Sequence, residues 1–231
     1  MAIDATWFGK RNCFIVYWDT DLKHAQWWRY TTAELSFDIT QDLIKLKEAG
    51  VICASVTSDG GRGICKAVDF IYPSIPHQRC IVHLQRYSSI LVTRNPKTLP
   101  GQEIRPLILS VTKITTAKQR DEWVNQFRRW CKKWDGFLKE RSYLYGTKKW
   151  WYTHKYLRRV RSHIKNAIAD LFYYLDDSLI PRDTNGLEGR FSALKQHYKQ
   201  HRGLSKERRE AYLSWYITVV INKEKPTRFV L

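Results

Sequence analysis

Apolar and polar positions alternate at the start of the chain with the period of strands. Ile3-Asp4-Ala5-Thr6-Trp7 predicts a short strand, turned by Gly9-Lys10-Arg11. Cys13 to Trp18 is dense in β-branched and aromatic residues, which suits a second strand buried on both faces. Asp19-Thr20-Asp21 turns the chain again, and Ala25 to Tyr30 makes a third strand of an antiparallel meander. The period then lengthens. Ile39, Leu43, Ile44 and Leu46 form one face of a helix capped by Ser36 and ended by Gly50. Val51 to Thr57 reads as a strand that leaves through Ser58-Asp59-Gly60-Gly61. A helix over 62–70, a short strand from Pro76 to Cys80 and a helix through His83, Leu84 and Tyr87 follow.

Three prolines and one glycine mark 94–106 as a loop. Trp123, Phe127, Trp130 and Trp134 then step by helical intervals, with Arg128, Arg129, Lys132 and Lys133 off that face. Further helices are predicted from Tyr152 to Arg161 and from Ile164 to Leu175. Asp183-Thr184-Asn185-Gly186-Leu187-Glu188 opens a helix with Leu187, Phe191, Leu194 and Tyr198 on one face, and Arg202-Gly203 breaks it. A last helix starts near Ser205. The element order predicts an α/β fold of RNase H-like type: a mixed five-strand sheet flanked by helices, with an all-α insertion. The expected division is 1–93 for the first part of the core, 94–180 for the basic helical insertion and 181–231 for the helices that complete the core.

Charge adds a direction to this picture. The 231 residues carry 40 Lys and Arg against 22 Asp and Glu, a net +18. Residues 1–80 hold 9 of each sign, whereas 81–180 hold 20 basic and 8 acidic residues. A neutral front and a basic remainder point to a polyanionic partner, with a solvated surface as the plain alternative. The nine cations Arg128, Arg129, Lys132, Lys133, Lys148, Lys149, Arg158, Arg159 and Arg161 are the expected DNA-phosphate contacts. The Trp123, Trp130 and Trp134 stripe is assigned to the insertion's own core. Trp150, Trp151 and Tyr152 follow Gly146 and break the stripe, so one of them could stack on a base or simply pack. The five cysteines form no paired framework, which fits a reducing setting. No apolar run spans a membrane, and no basic stretch precedes an apolar one at the start, so neither a membrane partner nor a secretory signal is expected.

Three carboxylates could share one site. Asp4 lies mid-strand among apolar neighbours, where a charge is costly unless paired; its plain alternative is an outward-facing residue of a frayed end. Asp59 lies at a strand end, where a turn-closing Asp is equally at home. Glu188 lies three residues after Asn185, which also suits a capping box. Lys195, two turns further along the same face, could reach a phosphate. Hard divalent ions take carboxylate oxygens, and phosphoryl transfer on DNA commonly uses two of them ~4 Å apart. Cys80 and His83 have ligand-like spacing, with His77 nearby, but a tetrahedral zinc site wants four ligands. A buried Cys with a satisfied His remains the other reading.

Asp4-Ala5-Thr6, Ser58-Asp59-Gly60, Cys80-Ile81-Val82-His83, Thr184-Asn185-Gly186-Leu187-Glu188-Gly189 with Leu194-Lys195, and His201-Arg202-Gly203-Leu204-Ser205 together resemble the catalytic core of bacterial transposases of the IS256 / Mutator-like superfamily. The resemblance implies an RNase H-like fold with a helical insertion between the second Asp and the Glu. It implies a DDE triad of Asp4, Asp59 and Glu188, both catalytic and metal-binding, with two Mg²⁺ or Mn²⁺ ions. Cys80, His83 and Lys195 would then support the active site. The implied reaction is DNA cleavage and strand transfer at transposon ends, on double-stranded DNA bearing terminal inverted repeats and on target DNA. The implied setting is a homo-oligomer on paired ends in the bacterial cytoplasm, associated with the nucleoid. Family members carry a DNA-binding region ahead of the first Asp, whereas three residues precede Asp4 here. Two other functions fit the same residues: a nuclease of this fold that joins nothing, and a domesticated DNA-binding protein without catalysis.

Overall fold

The computed structural model describes residues 1–201 and 203–223, so Arg202, expected in the break after the Glu188 helix, lies outside the described residues. Two compact units are present: Met1–Gln78 with the chain from Leu179 onward, and Arg79–Ser178.

The first unit is built on β1 (Ala2–Trp7), β2 (Cys13–Asp19), β3 (His24–Thr31), β4 (Val56–Ser58) and β5 (His77–Arg79), in the order β3-β2-β1-β4-β5. The β1–β2 and β2–β3 pairs are antiparallel, whereas β1 and β4 run parallel with Ile3 opposite Ser58. Alternation along β1 sorts its side chains between two cores. Ala2 joins Phe14, Val16, Leu187, Phe191 and Leu194. Ile3 joins Ile15, Tyr17, Ile39, Leu43 and Val68 on the other face. The first core is closed by α8 (Asn185–Tyr198), α9 (Lys206–Trp215) and the π-helical turn Tyr216–Ile221. The second is closed by α1 (Ser36–Glu48) and α2 (Arg62–Ile71). A mixed five-strand sheet with helices on both faces is the RNase H-like architecture.

The strand expected over 51–57 is shorter, and the reason lies in the end of α1. Gly50 adopts φ +82°, and the Val51 N–H donates to the Leu46 carbonyl at 3.0 Å. The chain is still leaving the helix there, and Ile52 stands 95% exposed. Only Val56 to Ser58 reach the sheet.

The second unit contains α3 (Ile81–Val92), α4 (Leu99–Ser110), α5 (Ala117–Lys133), α6 (Asp135–Lys139), β6 (Arg141–Tyr143), β7 (Trp150–Tyr152) and α7 (Lys155–Ala167). It begins at Arg79, ahead of the expected 94, because Ile81, Leu84 and Val92 of α3 belong to its core. The proline-rich stretch is a loop only as far as Thr98. Pro100 falls in the first turn of α4, where a missing N–H costs nothing, and Pro106 is carried inside the helix. Neighbouring tryptophans secure α4: the Trp123 and Trp130 indoles donate to the Leu107 and Pro100 carbonyls at 2.8 and 3.0 Å. The Trp134 indole donates to Glu103 at 2.8 Å. Trp123, Phe127 and Trp130 are buried, with each successive pair of rings stacked, so the stripe is core as its spacing implied.

Two details differ from the periodic reading. The helices expected over 152–161 and 164–175 are one helix, α7, followed by two short 3₁₀ turns at Ile168–Asp170 and Tyr173–Leu175. The unit is helical apart from one antiparallel hairpin, β6–β7, reversed through Gly146 at φ +71°. Tyr143, Trp150, Trp151 and Tyr152 suit a strand better than a helix surface.

Candidate functional site

Asp4 is only 4% exposed. It shares the face of β1 that Ala2 turns toward α8, and its Oδ1 accepts the Ala5 N–H at 2.9 Å. On α8, Leu187, Phe191 and Leu194 dock into the sheet core, which fixes Glu188 beside them in the first turn. A carboxylate oxygen of Asp4 and one of Glu188 lie within 4.8 Å of one another. The N-cap of α8 is Thr184, with no side-chain capping bond, so Glu188 is not closing the expected capping box with Asn185. The Thr57 hydroxyl donates to the Pro181 carbonyl at 2.7 Å, tying β4 to the segment that leads into α8.

Asp59 follows Ser58 as Asp4 follows Ile3, so the two aspartates succeed a paired position on adjacent parallel strands. Asp59 Oδ1 accepts the Gly61 N–H at 2.7 Å, and among the described residues Asp59 belongs to no group of three or more ligating atoms within 4.8 Å of one another. Ser58 braces the same turn: its Oγ accepts the Gly60 N–H at 3.1 Å and lies 2.8 Å from His77 Nε2.

Glu34, which the sequence reading passed over, stands beside Asp59. A Cβ on Gly61 would lie 3.3 Å from Asp59 Oδ1 and 3.4 Å from Glu34 Oε2. Glu34 Oε1 accepts the Trp7 indole N–H at 3.2 Å. Burial, and then the Asp59 charge, pushes the Glu34 carboxyl above its ordinary value, while the Trp7 bond pulls it down. A Cβ on Gly63 would meet the Glu34 carbonyl at 2.5 Å, so glycine is what lets α2 pass so close to this segment. No local pattern around Ala33-Glu34-Leu35 announces this; the approach is made by chain segments far apart in sequence.

Residues 39–165 match the family described as Transposase, Mutator family. The chain belongs to the Mutator family of transposases. No curated protein matches the chain. The matched stretch runs through Asp59 and the whole helical unit up to α7, while Asp4 and Glu188 lie on either side of it.

The remaining residues singled out by the motifs of this Mutator-family chain are placed as follows. Cys80 is the buried N-cap of α3 and His83 lies in its first turn. Among the described residues Cys80 belongs to no group of three metal-ligating side chains within 4.8 Å of one another. Lys195 is half-buried on α8, two turns beyond Glu188.

The nine cations of the helical unit divide into two sets. Arg128, Arg129, Lys132, Lys148 and Lys149 are exposed and make no ion pair or side-chain hydrogen bond among the described residues. The other four are engaged. Lys133 pairs with Glu103 at 2.6 Å, and Arg161 with Asp135 at 2.9 Å. Arg158 donates to the Leu138 carbonyl at 2.8 Å, and Arg159 to the Tyr87 hydroxyl. A groove of ≈ 1010 Å³ is lined by α5 and α7, with Arg128, Lys132, Arg158, Arg161 and Lys165 facing one acid, Asp135. Its charge suits a polyanion better than a small apolar ligand. Among the described residues no helix is long and apolar enough to cross a membrane.

Proposed function

We propose that this chain is the catalytic core of a DDE transposase that cleaves DNA at transposon ends and joins them to a target. The observation that carries the reading is the approach of Asp4 and Glu188 within 4.8 Å, from β1 and the first turn of α8, in a Mutator-family chain. Asp59 completes the proposed triad from the adjacent strand end. The three carboxylates of the proposed triad offer oxygen donors, which suit Mg²⁺ or Mn²⁺. Two such ions, when bound, would supply Lewis-acid stabilisation of the phosphoryl oxygens. The protein's own part is to hold the carboxylates: Asp4 by burial and the Ala5 N–H, Glu188 by the docking of α8. Lys195 is assigned to a DNA phosphate. Cys80 and His83 keep, from their motif alone, the supporting role that the family resemblance gives them. The basic groove between α5 and α7 would hold the duplex backbone, and the partners are terminal repeats, target DNA and a second copy of the chain.

Glu188→Gln keeps the size of the side chain and removes its charge. Cleavage and joining of a duplex carrying the element's terminal repeats should fall at least about a hundredfold, roughly 2.7 kcal/mol of barrier. The melting temperature without metal should hold, and the thermal shift caused by Mn²⁺ should disappear. Full activity in this variant would refute the site. Cleavage without joining by the wild type would make the chain a nuclease of the same fold, and binding without either would make it a DNA-binding protein.

A further inference from the structure

The β6–β7 hairpin is a hydrogen-bonded ribbon that carries exposed rings, Tyr143 at 63%, Trp150 at 44% and Trp151 at 48%. At its tip the Leu144 N–H donates to the Lys149 carbonyl at 3.0 Å, and the Thr147 N–H to the Leu144 carbonyl at 3.1 Å. At its base the Thr153 N–H donates to the Glu140 carbonyl at 3.0 Å, and the Ser142 and Thr153 hydroxyls lie 2.8 Å apart. A lone two-stranded ribbon is marginal in water, so something must brace it. Trp150 and Tyr152, on one face, do so. The Arg141 guanidinium lies 4.0 Å over the Trp150 ring, and that of Arg158 lies 3.4 Å over Tyr152.

Trp151 points to the opposite face, paired across the ribbon with Ser142. It is 48% exposed and makes no ring or cation–π contact among the described residues. Tyr145, at the turn, is 100% exposed. Large rings left uncovered on one hairpin suit a surface that meets something. The chemistry of the ribbon narrows what that is. Arg141 to Tyr152 contains three cations, Arg141, Lys148 and Lys149, and no acid. Lys148 and Lys149 are exposed and make no ion pair among the described residues. Reading base edges in a duplex groove calls for Arg, Asn or Gln side chains, whereas idle aromatic rings beside lysines match bases with their flanking phosphates.

We propose that the β6–β7 hairpin binds unpaired DNA nucleotides, with Trp151 and Tyr145 stacking on bases and Lys148 and Lys149 holding the adjoining phosphates. The proposal rests on the DNA-cleavage reading, since strand cleavage is what frees bases from the duplex at an end.

The test measures affinity by fluorescence anisotropy for three probes: a blunt duplex, the same duplex with a single-stranded tail, and that duplex with an abasic tail. The wild type should prefer the natural tail to both others. Trp151→Ala should bind the natural tail about 5- to 100-fold more weakly, the span of one base–aromatic stack, and the blunt duplex as before. Trp151→Phe should recover most of the loss. Equal binding of natural and abasic tails by the wild type would overturn the hairpin site while leaving the blunt-duplex affinity, and with it the DNA reading, intact. An unchanged Trp151→Ala, or one that weakens on all three probes alike, would overturn it too. A wild type that binds none of the probes would remove the proposed function and this inference together.

Discussion

Asp42 is a charged side chain with no exposed surface, and its neighbours explain how α1 tolerates it. The carboxylate accepts from Arg29 Nε and Nη2 at 2.7 and 2.5 Å, from the Tyr17 hydroxyl at 3.0 Å and from the Trp27 indole at 2.9 Å. Four donors offset the desolvation of one acid, and they tie α1 to β3 and to β2, the strand that pairs with β1. Removing the acid takes away the main partner of Arg29, which keeps Asp38 at 3.8 Å and is itself 27% exposed, so the loss is partly relieved. Asp42→Ala should therefore cost about 3 kcal/mol, the low end for breaking a buried pair. Urea unfolding would report it as a lower midpoint with an unchanged slope, and a shift under about 0.5 kcal/mol would mean the network is not holding the sheet. Cys13, buried in β2, makes a prediction of opposite kind. Burial, and then the charge of Glu34, pushes its thiol up to about 12. The folded state keeps that proton after the unfolded chain has lost it. Stability from this group is thus complete below about pH 9 and declines as the pH climbs toward 12. Cys13→Ala should flatten part of that alkaline decline. An identical decline in the variant would assign it to other groups, of which Tyr17, pushed up by burial and by Asp42, is the first candidate.

At the scale of elements, α4 and α5 show how a helix with two prolines is held. The indoles of α5 supply hydrogen bonds to α4 carbonyls, and the stacked rings supply apolar burial. Trp130→Ala removes a ring of that stack and the donor to the Pro100 carbonyl. The expected cost is about 3–5 kcal/mol, as for other large aromatic truncations in cores. Hydrogen exchange should rise first in α4, since that is the element whose partner is lost. If protection falls equally in every element of the helical unit, α4 owes its helix to something other than these indoles. Apart from its hairpin the unit shares this logic: its helices face a common apolar core and turn their cations outward.

For the whole molecule, most of the net charge lies in one of the two units. Residues 1–80 are neutral, the 20 basic and 8 acidic residues of 81–180 all lie in the helical unit, and 181–231 bring 11 basic and 5 acidic residues to the sheet-bearing unit. Phosphate contacts release counterions, so each one adds about −0.9 to the log–log salt slope of duplex binding. Arg128 and Lys132 are the better residues for testing this, because they line the groove and carry no ion pair among the described residues. Lys133 is a poorer choice, since it pairs with Glu103 and lies 4.9 Å over the Trp134 ring. Arg128→Glu with Lys132→Glu should weaken binding to every duplex sequence alike and flatten the slope by about two contacts' worth, roughly 1.8. A slope equal to the wild type's would move the duplex off the α5–α7 groove.

What the sequence determined by itself was whatever depends on residue type and short spacing. Alternation and β-branched density yielded the three-strand meander, and helical steps yielded α1, α5 and α8. The glycines closed the Asp59 turn, and motif spacing singled out Asp4, Asp59 and Glu188. Each of these is a local property of the chain, legible because periodicity follows directly from backbone geometry. The tertiary structure alone decided what depends on partners distant in sequence. Prolines argued for a loop where α4 forms, because the indoles that hold it come from α5. Val51 to Ala54 looked like a strand but never reached the sheet, because the end of α1 holds Val51 through the Leu46 carbonyl and the sheet pairing begins only at Val56. Glu34 carried no signal, because its place beside Asp59 exists only through the passage that Gly63 permits α2. Four of the nine cations that looked available for DNA are engaged at home, and an idle Trp151 differs from its braced neighbours Trp150 and Tyr152 only by the face of a hairpin on which it falls. Burial, pairing and facing are relations between segments, and composition and spacing cannot carry them until the fold has brought the segments together.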